Sequence, residues 1–330
     1  MAFKDILGHE RVKKILRKAL QKKKIPNSML FCGPEGVGKE EMAFMLAKAM
    51  NCERKRDDAC ETCASCRGIN ARNFPDVMVI QPEGNAIKIE QMRTLRKIAY
   101  LKPMTGKKRV FIVTEVEKMT EEAANSLLKV LEEPPLFSYV ILMTHNPFLI
   151  IPTIKSRCQI LNFPPVSRED ILKILMEKGY EEEKAKVISR LVRGNLKQAL
   201  DLDWEEIQER REQAWKLLLS LINKENFALF LRNYAFSYKA LVKEEWEKIL
   251  EMLSSFCRDL VLLKEKSDVD LLMNPDYEEK IKKAGELVSL DWLIRCLKRI
   301  DTAIYGLNKN LNVNLLVSSF FANFKEWEYA

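Results

Sequence analysis

The sequence has no long apolar run and very little histidine. Its longest apolar stretches, such as Tyr139–Met143, have the length of a β-strand and fall short of the roughly 18 residues that cross a bilayer. The first residues, Met-Ala-Phe-Lys-Asp, contain no apolar signal core. The two histidines, His9 and His145, are too few for a His-based catalytic site. We therefore expect a cytoplasmic protein with no membrane partner.

The composition is that of an ordinary globular protein. The chain has 330 residues, of which 47% are hydrophobic and 31% charged, so it is long enough for two or three domains with a sizeable core. The formal net charge of +8 permits contact with nucleic acid but does not require it. Composition alone leaves the function open.

The spacing of apolar residues predicts an α/β domain followed by helices. Strand and helix signals alternate over the first half, which is typical of a mainly parallel sheet with its ligand site at the carboxyl ends of the strands. Pro164-Pro165 interrupts this pattern, and no strand is predicted after Ser167. The predicted strands are Ser28–Cys32, Val77–Ile80, Arg109–Val113, Tyr139–Thr144 and Gln159–Phe163. The predicted domains are residues 1–165, 166–205 and 206–330.

Residues 33–40, Gly-Pro-Glu-Gly-Val-Gly-Lys-Glu, resemble a phosphate-binding loop between a strand and a helix. Such a loop presents backbone N–H groups and a helix N-terminus to phosphate oxygens. Gly33, Gly36, Gly38 and Lys39 keep the pattern, but Glu40 stands where a hydroxyl would hold Mg²⁺. A carboxylate there repels phosphate. Because Lys39 can still pair with phosphate, binding of ATP or ADP without hydrolysis stays open.

A second position that organises Mg²⁺ is altered as well. An active ATPase of this kind places an Asp at the end of the strand that corresponds to Arg109–Val113, whereas this chain has Thr114. Glu115 remains where a water-activating carboxylate would lie, although a solvated Glu at a strand end has the same appearance. Two alterations that affect one function favour a site without intrinsic ATPase activity.

Four of the eight cysteines are clustered, at Cys52, Cys60, Cys63 and Cys66. In a cytosolic chain such a cluster indicates a metal site rather than disulfides, and four thiolates suit a structural tetrahedral Zn²⁺. The spacing also resembles the start of an iron–sulfur run, but the Cys-Pro that completes that run is absent. We therefore favour a zinc module at about residues 50–70 over an iron–sulfur cluster.

Basic residues suggest two further kinds of contact. Arg157, which follows Ser156 on a predicted turn that leaves the sheet, could enter a neighbouring subunit's site and stabilise phosphoryl charge. A basic helix near the N-terminus and the run Lys107-Lys108-Arg109 could meet DNA phosphates. A solvated surface explains each of these features equally well or better when it is taken alone.

Taken together, these residues resemble the AAA+ subunits of the bacterial DNA polymerase III clamp loader. The resemblance starts at Phe3-Lys4-Asp5-Ile6-Leu7-Gly8-His9 and continues through the glycine loop and the cysteine cluster. It includes the segment from Ala123 to Pro135 and ends at Ile154-Lys155-Ser156-Arg157-Cys158. It covers most of the first 165 residues, whereas the C-terminal third is similar mainly in length and helicity.

The resemblance implies a fold and a role. The fold is an AAA+ RecA-like domain with a zinc module, a small helical lid and an all-helical collar domain. Glu40 and Thr114 place the chain with the delta-prime type of subunit rather than with the gamma/tau motors. Lys197, which stands about where the motors carry a nucleotide-sensing Arg, agrees with this placement.

In that role the chain is the stator of a five-subunit assembly with gamma/tau and delta subunits. Arg157, with Ser156 beside it, reaches the ATP of a neighbouring motor while the assembly loads the beta sliding clamp onto primed DNA. Two alternatives stay open. The chain could itself be a motor ATPase in which Glu40 binds Mg²⁺ directly, or a zinc-containing module that binds DNA.

Overall fold

The protein is described from a computed structural model that covers residues 3–55, 57–223, 243–309, 311–313, 315–316 and 319–321. It consists of two compact units. The sheet unit comprises residues 1–179 and 192–200, and the helical unit comprises residues 180–191 and 201–330. Among the described residues, no helix combines the length and the apolarity that crossing a membrane requires.

The sheet unit contains one five-stranded parallel sheet with the strand order β2-β3-β4-β1-β5. Ser28 of β1 lies opposite Val140 of β4, and Val77 of β2 lies opposite Val110 of β3. The strand predictions are confirmed to within one residue at each end. The strands are β1 Ser28–Cys32, β2 Val77–Ile80, β3 Arg109–Val113, β4 Ser138–Thr144 and β5 Gln159–Asn162.

Thirteen α-helices with defined bounds lie in the described ranges, nine of them in or bordering the sheet unit and four after it. The first nine are α1 Glu10–Gln21, α2 Lys39–Asn51, α3 Ala64–Asn70, α4 Ile89–Ala99, α5 Glu121–Glu132, α6 Pro152–Lys155, α7 Arg168–Glu177, α8 Glu182–Leu191 and α9 Leu196–Asp201. The others are α10 Trp204–Ile222, α11 Lys243–Lys264, α12 Glu278–Glu286 and α13 Leu290–Asn308. Short 3₁₀ turns cover Phe3–Asp5, Val116–Lys118, Pro147–Leu149, Val269–Leu271 and Pro275–Tyr277.

The three central strands, β3, β4 and β1, are buried along their whole length because both faces of the sheet are covered. Val110 and Ile112 of β3 pack in one core cluster with α1 and α2, whereas Phe111 and Val113 pack in another with α4 and α5. This two-sided burial explains the continuous apolar runs in the sequence. It also fixes the carboxyl ends of β1, β3 and β4 side by side, where polar residues follow the strands.

In the helical unit, α10, α11, α12 and α13 share one apolar core. A polar network lies beside that core. Asp259 is fully buried and accepts hydrogen bonds from Met273 N, Asn274 N and Asn274 Nδ2. Arg211, also fully buried, bonds to Asn274 and to Asp276. The described residues of this unit contain helices and no strand, as the sequence predicts.

Three local features complete the sheet unit. The basic helix near the N-terminus is α1, which ends at Gln21 because Lys23 adopts a left-handed backbone with φ of 53°. The region of the cysteine cluster contains the helix α3, whose N-cap is Cys63. Thr120 caps α5, since its side chain accepts a hydrogen bond from Ala123 N.

Candidate functional site

The loop from Gly33 to Gly38 connects β1 to α2, and its glycines are required by its geometry. A Cβ at Gly33 would lie 2.1 Å from the carbonyl oxygen of Phe163. Gly36 and Gly38 have φ of 69° and 104°, a region that residues with a side chain rarely adopt. Gly38 is the N-cap of α2, so the loop ends at a helix N-terminus. The backbone thus has the form of a phosphate cradle.

Lys39 lies inside this cradle and bonds to its own loop. Its Nζ donates to the carbonyl oxygens of Gly33 and Pro34 at 2.5 Å each. Burial lowers the pKa of Lys39, and the charge of Glu117 is the strongest influence in the opposite direction. A cavity of about 290 Å³ opens beside the lysine. It is lined by Glu35, Gly36, Gly38, Lys39, Glu40, Glu41, Gln81, Thr114, Glu115, Met143, Thr144, His145 and Lys197.

A later segment of the sheet unit covers the middle of the loop. Lys197 N donates to the carbonyl oxygen of Gly36 at 3.0 Å. The Asn195 side chain occupies the space that a Cβ on Gly36 would need, at 1.8 Å. Lys197 is predicted to stand about where the motor subunits carry a nucleotide-sensing Arg. It therefore contacts the loop through its backbone, and it also lines the cavity.

The two altered Mg²⁺ positions both line the cavity, and neither carries the usual ligand. Glu40 pairs with Arg72, with Arg72 Nη2 3.0 Å from Glu40 Oε1. Thr114 directly follows β3, and its N–H donates to Ile80 O at 3.0 Å. Glu115 pairs with Lys118 at 2.5 Å. In this arrangement Glu40 and Glu115 are each engaged with a cation of the chain itself.

Sequence reasoning missed three residues of this site, namely Arg72, Glu117 and His145. The Glu117 side chain is only 4% exposed, its Oε1 lies 2.5 Å from His145 Nδ1, and its Oε2 has no hydrogen-bond partner among the described residues. Arg72 follows α3 and reaches back to α2. No motif marks these positions. The only signal for Glu117 is that it comes two residues after Glu115 at the end of a buried strand.

The four clustered cysteines converge as a single metal centre would require. The Sγ atoms of Cys52, Cys60, Cys63 and Cys66 all lie within 4.8 Å of one another, and those of Cys60 and Cys66 are 4.0 Å apart. A tetrahedral zinc with Zn–S bonds of about 2.3 Å separates its sulfurs by about 3.8 Å, so the set needs only a small contraction to close on one ion.

Backbone N–H groups support the cluster sulfurs. Lys55 N points to Cys52 Sγ at 3.3 Å, Cys63 N to Cys60 Sγ at 3.3 Å, and Cys66 N to Cys63 Sγ at 3.4 Å. Such donors stabilise thiolates, the form in which cysteine binds a metal. Three of the four cysteines are buried, so the fit is that of a closed structural site.

Ser156 and Arg157 lie on a turn directly after the short helix α6. A turn was predicted at these two residues. Arg157 Nη1 donates to Thr153 O at 2.9 Å, and Nη2 lies 2.6 Å from Glu132 Oε1. Ser156 Oγ donates to Thr153 O at 3.1 Å. The Arg157 side chain is about one-third exposed, at 33%. It lies at the surface of the sheet unit and is held by the end of α5.

The basic segments that had been considered for DNA contact are partly used inside the protein. Arg109 is buried and pairs with Asp76 at 2.8 Å. Lys107 Nζ donates to Cys52 O at 2.6 Å, and Lys13 Nζ donates to Ile6 O at 2.8 Å. A DNA-binding face on Lys107-Lys108-Arg109 is therefore not supported. The exposed residues of α1 and its end, including Lys14, Arg17 and Lys18, stay accessible.

Comparison with known proteins identifies related chains. A family model described as "DNA polymerase III, delta subunit" matches residues 8–167. The delta' subunit of DNA polymerase III from Bacillus subtilis is 30% identical over 308 residues, which are 93% of each chain. The tau subunit from the same organism is 36% identical over 207 residues, which are 61% of this chain but 37% of that longer protein.

A solved structure agrees with the fold. A gamma subunit-related protein of DNA polymerase III from Thermotoga maritima superposes with a TM-score of 0.54 and covers 95% of this chain and 98% of its own. At 19% identity it supports the AAA+ architecture only. The sheet order, the glycine loop and the cluster of four cysteines are thus set in a fold of that class.

Proposed function

Because this chain belongs to the family of DNA polymerase III clamp-loader subunits that includes delta', gamma and tau, we propose that it is the stator of such a loader. A stator in this sense hydrolyses no ATP itself and supplies Arg157 to the nucleotide site of a neighbouring motor subunit. Its partners are gamma/tau-type and delta-type subunits, and through the assembly the beta sliding clamp and primed DNA. Its compartment is the cytoplasm.

One contrast carries the proposal. The loop has a phosphate-cradle backbone, yet Glu40 and Thr114 replace the two groups that would organise Mg²⁺. Arg157 lies at the surface on the turn after α6. A chain without the parts for hydrolysis in cis, but with a surface Arg at that turn, suits a role in trans, since an arginine finger stabilises charge on a transferring phosphoryl group.

The remaining assignments follow from the same geometry. Lys39 and the backbone N–H groups of the loop hold ATP or ADP without turnover. The cysteine cluster holds a structural zinc, since four sulfurs within 4.8 Å of one another close on a single ion, whereas an iron–sulfur cluster would separate its thiolates further. We also propose that residues 166–205 act as a lid on the loop and residues 206–330 as the collar domain of the assembly.

The motor alternative has less support. It requires Glu40 to bind Mg²⁺ directly, but the Glu40 carboxylate already pairs with Arg72. The DNA-binding alternative requires free basic side chains, but Arg109 and Lys13 are bonded to partners within the protein. Neither alternative uses Arg157.

The test is the DNA- and clamp-stimulated ATPase activity of a reconstituted loader in which only this chain is changed. Arg157→Ala is expected to lower turnover by about 10³-fold, the lower range for an arginine finger, with assembly intact by gel filtration. Lys39→Ala is expected to leave turnover within about twofold of the parent, well below the tenfold that corresponds to about 1.4 kcal/mol. If Lys39→Ala is the crippling change, the loop is a working motor site and the stator proposal is wrong.

A further inference from the structure

Arg72 connects the region of the cysteine cluster to the glycine loop. It follows α3 with a left-handed backbone, φ of 55°, which turns its side chain back toward α2. Its guanidinium lies 3.4 Å from the centroid of the Phe44 ring and donates to Glu40 Oε1 at 3.0 Å. Glu40 and Phe44 are one helical turn apart on α2, so a single Arg spans both.

One turn further along the same face of α2, the cluster region makes a second contact. Lys48 is 2% exposed, and its Nζ donates to Glu61 Oε1 at 2.7 Å and to Asn70 Oδ1 at 2.8 Å. Glu61 lies between the ligands Cys60 and Cys63, and Asn70 ends α3. Helix α2, whose N-terminus carries the loop, is thus braced by the module that carries the four thiols.

The cavity beside the loop is rich in acid, which makes the Arg72 contact consequential. Glu35, Glu40, Glu41 and Glu115 line it, against Lys39 and Lys197. Like charges at short range oppose the entry of phosphate. Glu40 lines this cavity, and it is the acidic residue of the cavity that Arg72 binds. Arg72 holds that carboxylate toward α3 and offsets its charge.

We propose that Arg72 is a positioning residue for nucleotide binding, which keeps the Glu40 carboxylate out of the phosphate cradle, and that a metal in the cysteine cluster keeps Arg72 in place. This rests on the proposed binding of ADP or ATP by the loop. Its consequence is a linkage: metal in the cluster and nucleotide in the loop favour each other. Linkage is reciprocal, so each ligand changes the affinity of the other by the same factor.

The first experiment measures ADP affinity by titration calorimetry on the full chain with zinc bound. Arg72→Ala is expected to weaken ADP about tenfold, equivalent to about 1.4 kcal/mol. Glu40→Gln alone is expected to bind at least as tightly as the parent, and the Arg72→Ala/Glu40→Gln pair is expected to bind like Glu40→Gln. Arg67→Ala, which changes an exposed Arg on the helix α3 that precedes Arg72, is the matched control and is expected to change nothing.

Each other outcome is decisive. If the double variant stays as weak as Arg72→Ala, then Arg72 contacts phosphate or supports the fold, and the positioning role is wrong. If Arg72→Ala binds like the parent, the inference alone fails. If the parent chain binds no ADP, both the inference and the proposed nucleotide occupancy fail, whereas the role of Arg157 in trans is untouched.

The second experiment tests the linkage without a metal-free chain. Release of zinc to a colorimetric chelator is followed with and without saturating ADP. ADP is expected to slow release several-fold in the parent and to have no effect in Arg72→Ala. Equal release rates with and without ADP in the parent would overturn the linkage, even if the calorimetry supports the role of Arg72.

Discussion

The glycine loop and the cysteine cluster lie at the two ends of α2, and they differ in what they retain. Gly38 caps the start of the helix and Cys52 its end. The loop keeps its backbone shape but carries Glu40 and Thr114 at the positions that would organise Mg²⁺. The cluster keeps all four thiols within 4.8 Å of one another. In the loop, shape and chemistry depend on different residues, so one can change without the other. In the cluster the four cysteines that would bind a metal also pack against one another, so a change of ligand is a change of packing.

The largest expected effect follows from that difference, because removing one thiol affects both metal and fold. Cys63→Ser is expected to lose stoichiometric zinc and to destabilise the sheet unit by on the order of 5 kcal/mol, since structural zinc supplies about 10 kcal/mol or more in zinc-finger peptides. Zinc content by mass spectrometry and thermal unfolding check this. Cys63 is also the N-cap of α3, so that helix is expected to fray.

Cys158→Ala is the matched control for the cluster. Cys158 is a partly buried cysteine of the same unit that packs beside the core, and burial raises the pKa of its thiol to about 12. Its substitution is expected to leave zinc content unchanged and to cost about 1 kcal/mol, a typical value for a point substitution. Full zinc content in Cys63→Ser would mean that the cluster is not a four-thiolate site.

The second largest effect is expected from Asp76, which stabilises the segment that contacts the C-terminal end of α2, next to the cysteine cluster. Asp76 is fully buried, accepts bonds from Met104 N, Thr105 N and Gly106 N, and pairs with buried Arg109. The segment it holds continues to Lys107 and Lys108, which bond to the last turn of α2. Asp76→Asn leaves Arg109 without a counter-charge and is expected to cost about 3–5 kcal/mol, read by denaturant unfolding.

The same carboxylate predicts a dependence on pH. Burial alone would raise the pKa of Asp76, but the backbone N–H donors and Arg109 hold it at about 2. A lowered folded pKa means that the stabilisation is complete above the unfolded value near 4 and is lost as the pH falls through about 2; it amounts to about 2 kcal/mol. Acid unfolding of the parent is expected to show this loss, and Asp76→Asn is expected to lack it. An equal acid dependence in both would contradict the assignment.

A third variant restores the usual Mg²⁺-binding residues of the glycine loop, so that the loop, like the cysteine cluster, has its full set of ligands. Glu40→Thr combined with Thr114→Asp returns a hydroxyl and a carboxylate to the Mg²⁺ positions. We expect Mg²⁺ to tighten ADP binding about tenfold in this variant, or about 1.4 kcal/mol, and to have little effect in the parent. Thr114→Asn with Glu40→Thr is the control, since it adds no charge. Strong Mg²⁺ dependence in the parent would mean that Glu40 already binds the ion.

The sequence predicts those parts of the two regions that depend on residues close together in the chain. The loop, β1, β3 and the four thiols are visible because local spacing specifies them: glycines at a turn, apolar runs in buried strands, and Cys-x₂-Cys repeats. The fold class and the family are confirmed on that basis.

Interactions between distant residues were missed. Arg72 meets Glu40 across 32 residues, and Glu117 meets His145 across 28. The segment Lys107-Lys108-Arg109 looks like a basic surface in sequence, but Asp76 lies 33 residues away and buries its Arg. No periodicity or local motif encodes such pairs, because they exist only once the sheet brings their elements together.

The smallest effect concerns the pair that holds Arg157. Glu132 and Arg157 are both well exposed, with side chains 48% and 33% accessible, so the pair contributes less than about 1 kcal/mol to stability. Glu132→Gln is therefore expected to leave unfolding unchanged. It is also expected to leave the ATPase activity of the assembled loader at or slightly above that of the parent, because in the proposed role in trans Arg157 would have to leave Glu132 before it could reach a neighbouring phosphate. Glu133→Gln, the next residue along, is the control for the change of charge.

The contrary outcome is a loss of ATPase activity in Glu132→Gln as large as that in Arg157→Ala. It would show that Arg157 acts while bonded to Glu132, so that the pair, rather than the Arg alone, belongs at the neighbour's site.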